Sequence, residues 1–278
     1  MPFGVFFCTS IVAGIVGALD GIGGGLILTP ILVAFGVDIR EAIAVSAVST
    51  IVISNTASPS FLQGHLPNLK ASSFLEIFAI VGALIGATLT EMTSRHVLFV
   101  SFGSILLVSW VMLWQTWKRQ KLSVPDLEKM VTNKRTMLGG SYYDFTTGKT
   151  IAYKAKHPYV GSLCMFGVGL IAGLLGGGGS VFTVLVIDLV MGFPTRVALT
   201  TSNLIMGVIA LASIGVYLER GLINMRVMTP VILGVLCGAF LGATLLRQLK
   251  SQSLRIIFLS VLSFLGVQMI YHGVTLLR

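Results

Sequence analysis

The chain has 278 residues, of which 55% are hydrophobic and only 10% are charged, and its mean hydropathy is +0.93. Soluble domains carry about 25% charged residues, so this composition excludes an ordinary soluble protein. The net charge of +9 does not indicate nucleic-acid binding, because nine of the 19 Lys and Arg residues lie between Lys118 and Lys156, in one polar connection. In a membrane protein, such a cluster marks the cytoplasmic side.

Apolar stretches follow one another along almost the entire chain. Six approach or exceed the roughly 20 residues that a membrane-spanning helix needs, and four are shorter. The short stretches form two neighbouring pairs, residues 3–19 with 26–37 and residues 159–175 with 181–193, and glycines separate the members of each pair. We therefore predict an all-α polytopic membrane protein in which each pair is a glycine-broken or re-entrant pair of helices.

The two halves of the chain resemble each other when one is shifted by 156 residues. Residues 82–89 and 238–245 then share six of eight amino acids, and the same register aligns the two glycine clusters. Internal duplication is typical of secondary transporters, in which two repeats meet around a site near the middle of the bilayer. Gly82, Gly86 and their counterparts also have a simpler interpretation, because small residues four apart let helices pack closely in lipid.

The duplication divides the chain into a first transmembrane repeat, residues 1–117, a basic cytoplasmic linker, residues 118–157, and a second transmembrane repeat, residues 158–278. In each repeat, three spanning helices follow the broken pair. The repeats are parallel if each pair crosses the membrane once, and inverted if each pair is a re-entrant hairpin or two short spans. With inverted repeats, five of the Lys and Arg residues outside the linker lie on the cytoplasmic side and five on the opposite side. With parallel repeats, four lie on the cytoplasmic side and six on the opposite side. The positive-inside rule therefore favours inverted repeats.

The glycine segments that break the two pairs indicate an anion site. Glycine costs about 1 kcal/mol relative to alanine in a helix, and irregular backbone survives at membrane depth only where it is buried in protein or lines a wet cavity. A helix that begins after a break directs free N–H groups and its positive dipole end into such a cavity. We expect both breaks to face a shared polar chamber; the alternative is that their glycines only allow close packing.

The residues around both breaks are similar to those of a known family. The run Gly21–Pro30, the second glycine cluster with Ser180, the segment Arg196–Asn203 and the loop Ser141–Asp144 resemble the sulfite exporter TauE/SafE family of membrane permeases. The similarity extends from about Val5 to the C-terminus. It implies transport of sulfite, other sulfur oxyanions or organosulfonates by a duplicated helical fold, with neither an enzymatic step nor a cofactor.

Candidate substrate-binding residues are the glycines of both breaks and the polar side chains of the helix after each break, which donate hydrogen bonds to an oxyanion without a fixed charge. They are Gly21, Gly23, Gly24, Gly25, Ser46, Ser49, Gly177, Gly178, Gly179, Ser180, Thr201, Ser202 and Asn203. Ser46 and Ser202 rank highest because they are counterparts in the two halves. The alternative for each hydroxyl is a hydrogen bond to its own helix or a neighbour.

Three charged residues are candidates for gating or coupling. Asp20 lies within the first glycine segment, whereas its counterpart Gly176 is uncharged. A carboxylate inside the membrane costs roughly 2.5–3.5 kcal/mol and usually has a function, so Asp20 is a candidate for coupling to protons or Na⁺. Arg40 and Arg196 stand at matching helix starts, where they either draw anions toward a vestibule or only anchor the helix.

These features predict a secondary transporter that exports small sulfur oxyanions such as sulfite, or organosulfonates, across the cell membrane by alternating access between the repeats. A passive anion channel lined by the same breaks is the main alternative, and a scaffold that docks a partner on the linker is another. No HExxH or GxSxG motif occurs, so we do not expect an enzyme. The expected partners are a small anion, the lipid bilayer, a coupling proton or Na⁺ and a second copy in a homodimer, but not nucleic acid.

Overall fold

A computed structural model of the chain describes residues 3–20, 24–62, 67–122, 138–144, 149–245 and 251–275, which form ten helices and one β-hairpin. Before the linker lie α1 (Phe3–Asp20), α2 (Gly25–Ala34), α3 (Ile39–Leu62), α4 (Leu69–Met92) and α5 (Arg95–Leu122). After it lie α6 (Pro158–Leu175), α7 (Ser180–Leu185), α8 (Thr195–Glu219), α9 (Met225–Leu245) and α10 (Ser251–Thr275). A π-helical turn, Val186–Val190, extends α7 without interruption.

Several of these helices are suited to a lipid environment. Five are long and apolar enough to cross a membrane: Leu69–Met92, Arg95–Gln115, Pro158–Leu175, Val197–Glu219 and Met225–Gly242. Large apolar side chains such as Leu163 and Phe240 are exposed on the outer surface, which is expected where the solvent is hydrocarbon. The membrane part is therefore all-α and polytopic, as the composition predicted.

A β-hairpin that was not predicted lies in the linker. β1 (Gly140–Asp144) pairs antiparallel with β2 (Lys149–Tyr153). The buried ring of Tyr153 packs against that of Phe193, with 5.0 Å between the ring centroids, and so attaches the hairpin to the helices. Residues 123–137 of the predicted linker lie outside the described residues.

Each glycine-broken pair folds back on itself. The ring of Phe35, which follows α2, lies 6.2 Å from the ring of Phe6 near the start of α1. In the second pair, a Cβ at Gly161 near the start of α6 would lie 3.0 Å from Cγ of Met191, which follows the π-helical turn. Both pairs are therefore hairpins whose two ends lie on the same side of the molecule.

Glycine contacts join the first helix of each hairpin to a helix of the other half. A Cβ at Gly82 would overlap the Phe166 carbonyl oxygen of α6, and one at Gly238 would overlap the Ile11 carbonyl oxygen of α1. In each pair, the next such contact lies four residues further along both helices. Because the contacts advance in the same direction on both, α6 runs parallel to α4 and α1 runs parallel to α9. The interpretation of these small residues as close-packing sites is confirmed.

Replacing Gly169 in α6 with alanine should destabilise the protein, because the added methyl group would overlap the Ala79 carbonyl oxygen and push α4 away. Overpacking of this kind costs about 1–3 kcal/mol, so the unfolding midpoint of the detergent-solubilised protein should fall. Gly167→Ala, two residues earlier on the same helix, is the control, since nothing lies within 4 Å of its added methyl group. Equal midpoints for the two variants would contradict the described packing.

Candidate functional site

The two glycine segments meet at the middle of α3. A Cβ at Gly25 would lie 2.7 Å from the carbonyl oxygen of Gly176 and 2.9 Å from Oγ1 of Thr50. A Cβ at Gly177 would lie 2.5 Å from the same Thr50 hydroxyl. Thr50 lies halfway along the 24-residue α3, so the contact is near the centre of the helix bundle. The absence of side chains is what allows these backbones to touch.

Where we expected an open chamber, the described residues beside the two breaks lie in close contact. Gly25, Thr50, Gly176 and Gly177 are all buried. A cavity of about 420 Å³ lies between the α2–α3 corner and the ends of α5 and α10, and another of about 530 Å³ lies between α5 and α10. Neither of these two cavities is lined by a described residue of the breaks, and the Gly25 and Gly176 backbones touch in this conformation. Gly21 and Gly23 lie outside the described residues.

Hydroxyl groups satisfy the carbonyl oxygens at the end of α6, just before the second break. Oγ1 of Thr90 in α4 donates to the Leu174 carbonyl at 3.0 Å, and the fully buried Tyr217 hydroxyl of α8 donates to the Gly173 carbonyl. The last carbonyls of a helix have no partner inside it, and lipid supplies none. Neither donor was predicted; their only sequence signal is a polar group within an apolar helix.

Ser46 contributes the third hydroxyl at this helix end. Its Oγ lies 2.9 Å from the Gly176 carbonyl oxygen, 2.9 Å from the Ile43 carbonyl oxygen and 2.7 Å from Oγ1 of Thr29. Thr29 Oγ1 is in turn 3.1 Å from the Gly25 carbonyl oxygen. The prediction that Ser46 donates to an anion does not fit these neighbours, because an anion placed there would face carbonyl oxygens.

The other side of the second break presents N–H groups instead. α7 begins at Ser180, and Gly179 before it has no side chain to cap the first turn. The Ser180 side chain is fully buried, and its Oγ has no hydrogen-bond partner in the described part of the chain. α2 likewise begins after Gly24 without a side-chain cap. Uncapped N–H groups and an unpaired hydroxyl donor are suited to an anion.

Several predicted residues make only local contacts. Ser49 and Ser202 donate to carbonyl oxygens of their own helices at 3.0 and 3.2 Å, which is the simpler of the two interpretations weighed for hydroxyls. A Cβ at Gly24 would lie 2.6 Å from Cδ1 of Ile53, and one at Gly178 would lie 3.1 Å from Cβ of Leu175. These two glycines therefore serve close packing.

Thr201 and Asn203 connect α8 to the first half of the chain. Oγ1 of Thr201 accepts the N–H of Asn68 at 3.1 Å. Asn203 Nδ2 donates to the Ser54 carbonyl at 3.3 Å, and the Ser54 hydroxyl donates to the Asn203 carbonyl at 2.5 Å. Both residues hold α8 against the first half, outside the contact between the breaks.

The charged candidates lie away from the breaks or outside the described atoms. Nη2 of Arg40 donates to the Thr93 carbonyl, 2.8 Å away, just after the end of α4. Asp38 accepts the Arg40 N–H at 2.9 Å and forms a 2.9 Å ion pair with Arg95. Arg40 therefore anchors helix ends. It lies six residues before Ser46, which is about 9 Å along α3 at a rise of 1.5 Å per residue. The side chains of Asp20 and Arg196 lie outside the described residues.

Substituting alanine for Gly177 should disrupt the contact between the breaks for two reasons. Its φ of +100° disfavours any residue with a Cβ, and the new methyl group would lie 2.5 Å from Oγ1 of Thr50. Gly36→Ala is the control, because Gly36 has a φ of +81° with nothing within 4 Å, so it carries only the conformational cost of roughly 1–2 kcal/mol.

We expect a larger fall in unfolding midpoint for Gly177→Ala than for Gly36→Ala, and a partial recovery when Thr50→Ala removes the clashing hydroxyl. If Gly177→Ala were no worse than Gly36→Ala, the close approach of Thr50 to the second break would be refuted.

Comparison with known proteins identifies the family. Residues 6–269 match the family described as sulfite exporter TauE/SafE. Over 282 residues, covering 99% of each chain, the sequence is 24% identical to the "Probable membrane transporter protein YunE" of Bacillus subtilis (strain 168). No solved structure gives a significant match. The family match covers nearly the whole chain, so the resemblance seen around the glycine segments is confirmed, and the chain belongs to the sulfite exporter TauE/SafE family.

Proposed function

We propose that the protein is a secondary transporter that carries small sulfur oxyanions such as sulfite, or organosulfonates, out of the cell. Its family and its similarity to a probable membrane transporter support a role in transport. The observation that carries the proposal is the meeting of two glycine breaks at the middle of α3. Broken helices that meet at mid-membrane are the usual place for substrates in transporter folds built from repeats.

The helix directions support inverted repeats. Ser54 of α3 contacts Asn203, and Asn68, which follows α3, contacts Thr201, so α3 and α8 run antiparallel. The first hairpin opens to the side where α3 begins and the second to the side where α8 begins, and these sides are opposite. α3 begins at Ile39 and α8 begins at Thr195. These two positions are 156 residues apart, which is the offset of the sequence repeat.

Inverted hairpins provide a route for alternating access. Each hairpin enters from its own side, and Gly25 of the first touches Gly176 of the second in the described conformation. Separation of one hairpin from the contact would expose the anion site at the start of α7 to one side only.

Membrane voltage supports export as the direction. A dianion that leaves a negative interior gains about 4.6 kcal/mol at 100 mV, since each charge is worth about 2.3 kcal/mol. A cytoplasmic linker at the plasma membrane is supported by its charge, because nine of the 19 Lys and Arg residues lie in it.

Reconstitution in liposomes tests the transport proposal. Purified protein should give flux of sulfite, thiosulfate or a small sulfonate that saturates with concentration and is stimulated by counterflow. Linear flux without saturation would favour the channel, and the absence of flux for every sulfur anion tested would contradict the proposal.

Ser180→Ala should weaken anion transport, because it removes the unpaired buried hydroxyl at the start of α7. A hydrogen bond to a charged group contributes about 1.5–3 kcal/mol, so the concentration for half-maximal flux should rise about tenfold or more. Ser109→Ala is the matched control, since Ser109 in α5 is also buried with an unpaired Oγ but lies away from the breaks. Equal effects of the two substitutions would exclude Ser180 from the anion site.

A further inference from the structure

Helices α5 and α10 form an antiparallel pair. The rings of Phe99 and His272 lie 6.4 Å apart, and a Cβ at Gly266 would lie 3.1 Å from Cδ2 of Leu107. Residue numbers rise along α5 as they fall along α10, so the end of α5 lies beside the start of α10. Both of these helix ends lie on the side of the linker, because the linker follows α5 directly.

A groove between the two helices is apolar and open to the outside of the bundle. Its volume is about 530 Å³, and its lining includes Trp110, Trp114, Leu259, Phe264 and Val267. Phe264 and Val267 are 70% and 58% exposed, and the two tryptophan rings stack with 6.0 Å between their centroids. Exposed apolar side chains of a spanning helix face hydrocarbon, so this α5–α10 groove is open to lipid chains.

The groove lies near the linker side of the membrane. Trp114 lies eight residues before α5 ends at Leu122, and Leu259 lies eight residues after α10 begins at Ser251. At a rise of 1.5 Å per residue, each is about 12 Å from its helix end. Tryptophan is enriched at the boundary between membrane and water, so this end of the groove is within reach of lipid headgroups.

Basic residues occupy both helices between the groove and the linker side. Lys118, Arg119 and Lys121 are among the last five residues of α5, and Arg255 lies in the second turn of α10. Neither helix has an Asp or Glu between the groove and its end on this side. Each Lys or Arg near a membrane surface raises the affinity for anionic lipid about fivefold. A lipid with a negatively charged headgroup therefore complements both the groove and its basic end.

We propose that the α5–α10 groove binds an anionic phospholipid, with an acyl chain along the two tryptophan rings and the phosphate toward the basic helix ends. A second copy of the chain fits this face less well. Two copies related by an axis along the membrane normal would bring their basic ends together, and like charges repel. The lipid instead neutralises these charges, and the site does not depend on which anion the protein transports.

Tryptophan fluorescence of the purified full chain in detergent micelles tests the site. The three tryptophans, Trp110, Trp114 and Trp117, all lie in the second half of α5, so the intrinsic tryptophan emission comes from this helix. Brominated phosphatidylglycerol should quench it at about a fivefold lower mole fraction than brominated phosphatidylcholine does. About 1 M salt should remove most of this difference, because the Debye length is then about 3 Å. Equal quenching by the two lipids at low salt would overturn the proposal.

Charge variants locate the headgroup. Replacing Lys118, Arg119 and Lys121 together with glutamine should make the two brominated lipids quench at equal mole fractions, because the charges that favour the anionic headgroup are gone. An unchanged preference for phosphatidylglycerol in this variant would refute the location.

The matched control replaces Lys70, Lys154 and Lys156 together with glutamine. These three lysines are exposed on the same side of the molecule but lie outside α5 and α10. The control removes the same amount of charge, and it should keep the preference for phosphatidylglycerol. Loss of the preference in both variants would reduce the effect to general surface charge and overturn the site.

The oligomeric state distinguishes the lipid from a second copy of the chain. If this face were a dimer interface, both brominated lipids would quench weakly, and Phe264→Ala would shift the protein toward the monomer in light scattering. That result would overturn the proposal. Strong quenching by phosphatidylglycerol together with an unchanged mass for Phe264→Ala would support it.

Discussion

Backbone groups that leave a regular helix inside a bilayer must be satisfied by protein, because hydrocarbon offers no hydrogen bonds. In this chain the carbonyls at the end of α6 are satisfied by hydroxyl groups of three other helices, through Ser46, Thr90 and Tyr217. The turn itself requires glycine, since Gly176 and Gly177 have φ values of +62° and +100°. The break is therefore stabilised by the assembled bundle, through hydroxyl groups of α3, α4 and α8.

Close backbone packing determines which parts of the bundle can move together. α6 lies against α4 and α1 against α9 through glycines that meet carbonyl oxygens, as at Gly82 and Gly238. Such contacts resist separation, because a small gap forfeits much of the dispersion energy of densely packed atoms. In the proposed alternating access, a hairpin that withdraws from the central contact would therefore carry its partner helix from the other half.

The sequence located the two glycine-broken pairs because hydropathy and glycine runs are local signals, but it left open whether each pair spans once or folds back. The apolar stretches 3–19 and 159–175 correspond closely to α1 and α6. Their packing was less predictable, since glycines that mark a cavity and glycines that let backbones touch have the same sequence appearance. The direction of the Ser46 hydroxyl and the roles of Thr90 and Tyr217 depend on which carbonyl lies beside them, and this is decided by tertiary contacts.

The two sides of the second break differ in polarity. Carbonyl oxygens end α6 and N–H groups begin α7 only a few residues later, between Leu175 and Ser180. Opposite partial charges therefore face one turn without any fixed charge, which would cost several kcal/mol to bury. In the proposed alternating access, the hydroxyls that hold the break closed would be released when it opens. Breaking a neutral hydrogen bond costs about 1 kcal/mol. Such a contact can therefore open repeatedly, whereas a buried ion pair would hold it shut.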